Sequence, residues 1–156
     1  TPPAPSSTTP SPTASSASPS ASGVPAAAKV KSEAGAIAFV KYYFSQVNLA
    51  WTTPDPDAIR GLSNPDCLSC ASLARTASDL ESQSQRYDRD PVSVERLAGQ
   101  GVVAGGRQQV AFKLIQHRSN VVDSTGRVVL TDEAKEVDRR IELEWVGGQW
   151  RVWDIG

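Results

Sequence analysis

The stretch VDRRIELEWVGGQWRVWD, residues 137–154, decides the fold. Two alternating apolar runs flank Gly147-Gly148, and a glycine pair tolerates the positive φ that a two-residue hairpin turn demands. The turn sets a register in which Val146 opposes Gln149, Trp145 opposes Trp150, Leu143 opposes Val152 and Ile141 opposes Asp154. One face then holds Val137, Ile141, Leu143, Trp145, Trp150 and Val152 and must be covered by other elements. The other pairs Glu144 with Arg151 and Glu142 with Trp153, a mixed surface suited to water. Arg139 and Asp154 break the apolar face, and this register makes them diagonal neighbours of opposite charge.

The two-residue period extends back to Val92, punctuated by Gly99, Gly101, Gly105-Gly106 and Gly126, so the second half of the chain reads as an antiparallel sheet. Val110, Phe112 and Leu114 alternate with Gln109, Ala111 and Lys113. A hairpin through Asp123-Ser-Thr-Gly126 lays Phe112 near Val137 and Val110 near Arg139.

The first half is helical. Ala36, Val40, Tyr43, Val47 and Trp51 recur at spacings of three and four between Lys29 and Trp51, with Ser32 as N-cap. Thr53-Pro-Asp-Pro-Asp57 stops that helix and starts a short turn anchored by Ile59 and Leu62. Cys70, Leu73, Ala77, Leu80, Ser84 and Tyr87 form one stripe of a further helix ending near Asp90-Pro91. The expected fold class is therefore α+β, N-terminal helices packed on a curved antiparallel sheet.

Of residues 1–28, 26 are Pro, Ser, Thr or Ala, and the first charge is Lys29. A segment so poor in large apolar side chains cannot offset the entropy of ordering its backbone. Residues 1–28 are expected to be a disordered spacer and 29–156 a single domain. The formal charge of −1 comes from 16 basic and 17 acidic residues, mixed without a basic run, so no nucleic acid partner is expected. No stretch approaches the roughly 20 apolar residues that span a bilayer.

Cys67 and Cys70 are the only cysteines. A lone close pair suits an oxidising compartment, and the expected role is a structural disulfide pinning a helix entry. The alternative is thiol-disulfide redox chemistry at a helix N-terminus, against which stands the missing strand of a thioredoxin-like site. Metal binding is not expected, since only His117 remains as a nitrogen ligand. His117 has the opposite parity to Phe112 and belongs on the surface or rim.

The segment EAGAIAFVKYYF, residues 33–44, with Asn48, the Cys67-Leu-Ser-Cys70 step and the Ser/Thr/Pro-rich leader, resembles a family of actinobacterial lipoproteins of unknown function. The order of elements, helices and then a sheet ending in a Trp/Val-rich hairpin, resembles the cone fold of nuclear transport factor 2 (SnoaL-like). The resemblance implies a position at the membrane surface, held by a lipid-bearing cysteine before Thr1. It also implies a pocket on the inner face of the sheet, where Tyr42, Tyr43, Arg139 and Asp154 are the candidate ligand contacts.

Three functions follow as expectations. The first is a secreted or membrane-tethered, non-catalytic module of the cell envelope that binds a small ligand or a protein partner, with no cofactor. The second is a cone-fold isomerase, dehydratase or hydrolase using Asp154 as base, Arg139 as its electrostatic partner and a tyrosine as donor. The third is redox exchange at Cys67 and Cys70. The oligomeric state is not legible.

Overall fold

The computed structural model describes residues 23–156, so the spacer reading of residues 1–22 lies outside the described residues. The folded unit begins earlier than Lys29. Ala26–Lys29 form a 3-10 turn in which Ala28 is buried, and Val24 packs against the core. The Val30 carbonyl accepts a hydrogen bond from the indole Nε1 of Trp150 at 2.9 Å.

Three helices follow: α1 (Glu33–Thr52), α2 (Asp57–Arg60) and α3 (Leu68–Ser82). Ser32 caps α1 as its spacing implies, its hydroxyl accepting from the Gly35 N–H at 3.0 Å. Ala36, Val40, Tyr43 and Val47 are fully buried on one face of α1. Asp55 accepts from the Asp57 N–H at 3.0 Å and opens α2, which buries Ile59.

Helix α3 ends well before Asp90, which corrects the expected length. The Gln85 N–H reaches back to the Leu80 carbonyl at 2.8 Å around Ser84, whose φ is 53°. This left-handed closure satisfies carbonyls that the helix end would leave unpaired. Tyr87 is thereby released from the helix stripe into a strand, where its ring stacks on Trp51 at 5.5 Å.

The seven strands are β1 (Arg86–Tyr87), β2 (Val92–Val103), β3 (Arg107–Gln116), β4 (Ser119–Val122), β5 (Val128–Asp132), β6 (Lys135–Val146) and β7 (Gln149–Ile155). They form two antiparallel sheets, ordered β2-β3-β6-β7 and β1-β4-β5. The helices cover the inner face of the larger sheet, where Val110, Phe112, Ile141, Leu143, Trp150 and Val152 share one core cluster with the buried residues of α1 and α3.

Two registers differ from expectation. The turn at Asp123–Gly126 closes the β4–β5 hairpin rather than joining β3 to β6, and β3 pairs with β6 two residues further along: Phe112 faces Arg139, and Val110 faces Ile141. In the last hairpin Gly147 and Gly148 take φ of 60° and 79°, and the register holds from Val146–Gln149 through Leu143–Val152. Beyond that a β-bulge intervenes, and Glu142, not Ile141, faces Asp154.

Candidate functional site

Arg139 and Asp154 do not form the expected pair. Because Leu143 faces Val152 while Glu142 faces Asp154, Trp153 is one residue more than the partner strand supplies. An inserted residue reverses the side on which every later side chain emerges. Asp154 is therefore exposed on the solvent face with Glu142, and Ile155 takes the inner place opposite Ile141. The reading of Asp154 as a base or ligand contact in an inner pocket is corrected accordingly. The bulged Trp153 ring instead receives the Arg107 guanidinium at 4.6 Å, whose Nε holds Glu142 at 2.7 Å.

The tyrosines also move out of the expected site. Tyr43 is fully buried, burial pushes its phenol above the ordinary tyrosine range, and its hydroxyl has no hydrogen-bond partner among the described residues. A group sealed in this way cannot touch a ligand arriving from solvent. Tyr42 is half-buried against Phe39 and is not among the groove-lining residues.

Arg139 is where parity puts it, on the inner face, but at an open edge. Two contiguous clefts of about 380 and 420 Å³ lie between the helices and the sheet and share Phe44, Leu73, Leu114 and Arg139. Their floor is apolar: Phe44 and Val47 from α1, Leu114 from β3 and Val137 from β6. On the α3 side the wall is Leu73 and Thr76, continued by Ser69 and Ser72. Trp51, Tyr87 and Asp132 close one end.

The lip is cationic. Lys135, Val137 and Arg139 alternate on the inner face of β6, opposite Gln116, Leu114 and Phe112. Lys135 and Arg139 are both exposed, and neither forms an ion pair among the described residues. The one acidic side chain lining the groove is engaged, since Asp132 accepts the Tyr87 hydroxyl hydrogen bond at 2.5 Å. Burial, then the hydrogen bond and charge of Asp132, hold the Tyr87 phenol neutral well above the ordinary tyrosine range.

Sequence reasoning missed three of these groups. Lys135 was accessible to it, because it shares parity with Val137 and Arg139. Tyr87 was hidden by a spacing from Leu80 that fits a helix as well as the strand it forms. Asp132 is assigned to the site only by the β4–β5 hairpin, a long-range feature.

Cys67 and Cys70 are joined in a disulfide with Cα atoms 5.2 Å apart. The Cys67 sulfur accepts from the Cys70 N–H at 3.2 Å as N-cap of α3, and the two residues are 2% and 3% exposed. Exchange needs a thiolate in line with a sulfur, which this burial obstructs. His117 is exposed as expected, with its Nε2 2.8 Å from the Ser93 hydroxyl. Among the described residues no three His, Cys, Asp or Glu side chains converge as a metal site requires, and no helix is long and apolar enough to cross a membrane.

The fold has structural relatives. The intermembrane-space region of the chloroplast protein ARC6 superimposes with a TM-score of 0.60 at 16% identity, covering 81% of this chain and 96% of that one. Aln2 from a Streptomyces species gives 0.51 at 12% identity over 78% and 88% of the two chains. A protein from Catenulispora acidiphila gives 0.52 at 12% over 79% and 90%. At such identities the likeness is one of fold. No curated protein matches the sequence. A family match does extend over residues 14–155, nearly the whole chain, and the protein belongs to the family of unknown function DUF6318.

Proposed function

We propose that this protein is a non-catalytic binding module of the cell envelope, exported and tethered by its N-terminus, whose groove holds a ligand with an apolar body and an anionic group. The carrying observation is the cationic lip, Lys135 and Arg139, which forms no ion pair among the described residues and stands over an apolar floor. An apolar cleft supplies affinity by excluding water, and a few placed charges select orientation. In this reading the domain is a cone of the nuclear-transport-factor-2 type, and the chain is an actinobacterial lipoprotein whose Pro/Ser/Thr/Ala leader is a spacer.

The geometry of chain entry supports the tether. Val30 docks on Trp150, which pairs with Trp145, six residues along β6 from Arg139. At about 3.3 Å per residue, Arg139 at the groove lip lies about 20 Å along β6 from the entry point, so a tether there does not cover the lip.

The test is a titration with the apolar anion 8-anilinonaphthalene-1-sulfonate, then with dodecanoate as competitor. Saturable one-to-one binding is expected. Charge-assisted contacts contribute about 1.5 to 3 kcal/mol, so Arg139→Glu combined with Lys135→Glu should weaken binding by about 10-fold to 100-fold. Asp154→Asn should leave it unchanged. Equal affinity of the double variant, or equal competition by neutral dodecanol, refutes an anion-selective groove.

A further inference from the structure

We infer that the chain self-associates through strand β5, which pairs antiparallel with β5 of a second copy and joins two three-stranded sheets into one of six. Among the described residues strand β5 is the outer strand of its sheet, with β4 on one side and no strand on the other. Val128, Val129 and Leu130 are exposed by 50%, 40% and 54%. These three exposed apolar residues follow one another along the edge strand, so no other element covers it among the described residues.

The backbone shows which groups the edge offers. The Asn120 carbonyl accepts from the Asp88 N–H at 2.9 Å, so the main chain of β4 turns toward β1 at Asn120. Alternation turns Ser119 and Val121 toward β5, where they face Asp132 and Leu130. Thr131, opposite Asn120, therefore directs its N–H and C=O to the free edge. Val129, the residue skipped between the Val121–Leu130 and Val122–Val128 pairs, does the same. An edge with such groups is a template for another strand.

Charge selects the second copy as occupant and fixes its register. A two-fold axis through Leu130 places Val129 opposite Thr131 of the second copy, so both ends exchange main-chain hydrogen bonds, and it stacks Leu130 on its own equivalent. The same register sets Arg127 opposite Glu133, twice. Moving the axis to Thr131 would set Arg127 against Lys135, like charges in contact, and moving it to Val129 gives Arg127 only Thr131. Arg127 and Glu133 are free to turn outward, since their present ion pairs with Asp123 and Arg118 lie at the surface, where such pairs contribute little.

Sedimentation velocity on the full chain from about 1 µM to about 1 mM tests this. A concentration-dependent monomer–dimer equilibrium is expected. Arg127→Glu and Glu133→Arg should each raise the dissociation constant by at least about tenfold, because each sets like charges together twice. An equimolar mixture of the two variants should restore the dimer, since every cross-pair then joins opposite charges; misfolded variants would not do this. Monomer at every concentration, which would leave the edge to a foreign strand, overturns the inference. So does a dimer indifferent to both reversals, or a mixture that stays monomeric.

Discussion

Gly35→Ala should destabilise the domain, although the same exchange in most helices does the opposite. Alanine outranks glycine by about 1 kcal/mol in a helix interior, and Gly35 lies in the first turn of α1. Here a β-carbon would overlap the carbonyl oxygen of Val30 and crowd the Ser32 hydroxyl. The Val30 oxygen belongs to backbone fixed by the buried Ala28 and by the Trp150 indole, so it cannot yield cheaply. Displacing it leaves the nearly buried indole N–H unpaired, about 1 to 3 kcal/mol. It also loses much of the Ser32 cap, about 1 kcal/mol, and re-exposes Ala28, about 0.8 kcal/mol. Against the propensity gain the net loss is about 2 to 4 kcal/mol, a fall in Tm of roughly 10 °C for a domain of this size. Thermal and urea unfolding followed by circular dichroism measure it. In a chain lacking residues 1–30 the obstacle is gone, and the same substitution should become neutral or stabilising. An unchanged or higher Tm in the full chain would refute the docking of residues 24–30 on α1.

Three further outcomes follow from the same packing. Tyr43→Phe removes a buried hydroxyl without a partner, so urea unfolding should show a gain of about 1 kcal/mol; a loss would mean that an internal water satisfies it. Replacing both Cys67 and Cys70 by alanine should lower stability by about 2 kcal/mol, the small value expected for a four-residue loop, and thiol labelling should show the native disulfide reduced only with unfolding. Asp123 and Asp88 carry carboxyls held below the usual range, Asp123 chiefly by the Thr125 hydroxyl and Asp88 chiefly by the Asn120 N–H. A depressed folded value adds stability above the ordinary Asp value of about 3.9, which is lost as pH falls through the lowered one. Acid unfolding of Asp123→Asn with Asp88→Asn should therefore show a shallower fall below about pH 4 than the parent.

What was legible was local. The capping serine, the spacing of Ala36, Val40, Tyr43 and Val47, and the Gly147-Gly148 turn each act within one or two turns of chain, and each stands in the structure as read. The helix stripe through Ser84 and Tyr87 failed where two local codes overlap, because three-four spacing cannot announce a left-handed residue at its end. The β3–β6 pairing failed because a separate hairpin, β4–β5, occupies the Asp123 turn.

The misplaced Asp154 has a more specific cause. Parity counting treats a strand as a perfect alternation, and Trp153 breaks it with no glycine or proline to warn of the break. The bulge is favoured by what surrounds it: Trp153 lies under the Arg107 guanidinium, and Glu142 closes the group at 2.7 Å. It also lets Ile155 cover Ile141 where an aspartate would otherwise have been pressed against the core. An unpaired carboxylate buried there would cost several kcal/mol, far more than one irregular ladder step. The same energetic term favours removing Asp154 from the inner face, and Arg139 at the groove lip forms no ion pair among the described residues. The two residues were singled out together because both broke an apolar pattern. Only Arg139, whose long side chain reaches solvent from an inner-facing position, stays where it can meet a ligand.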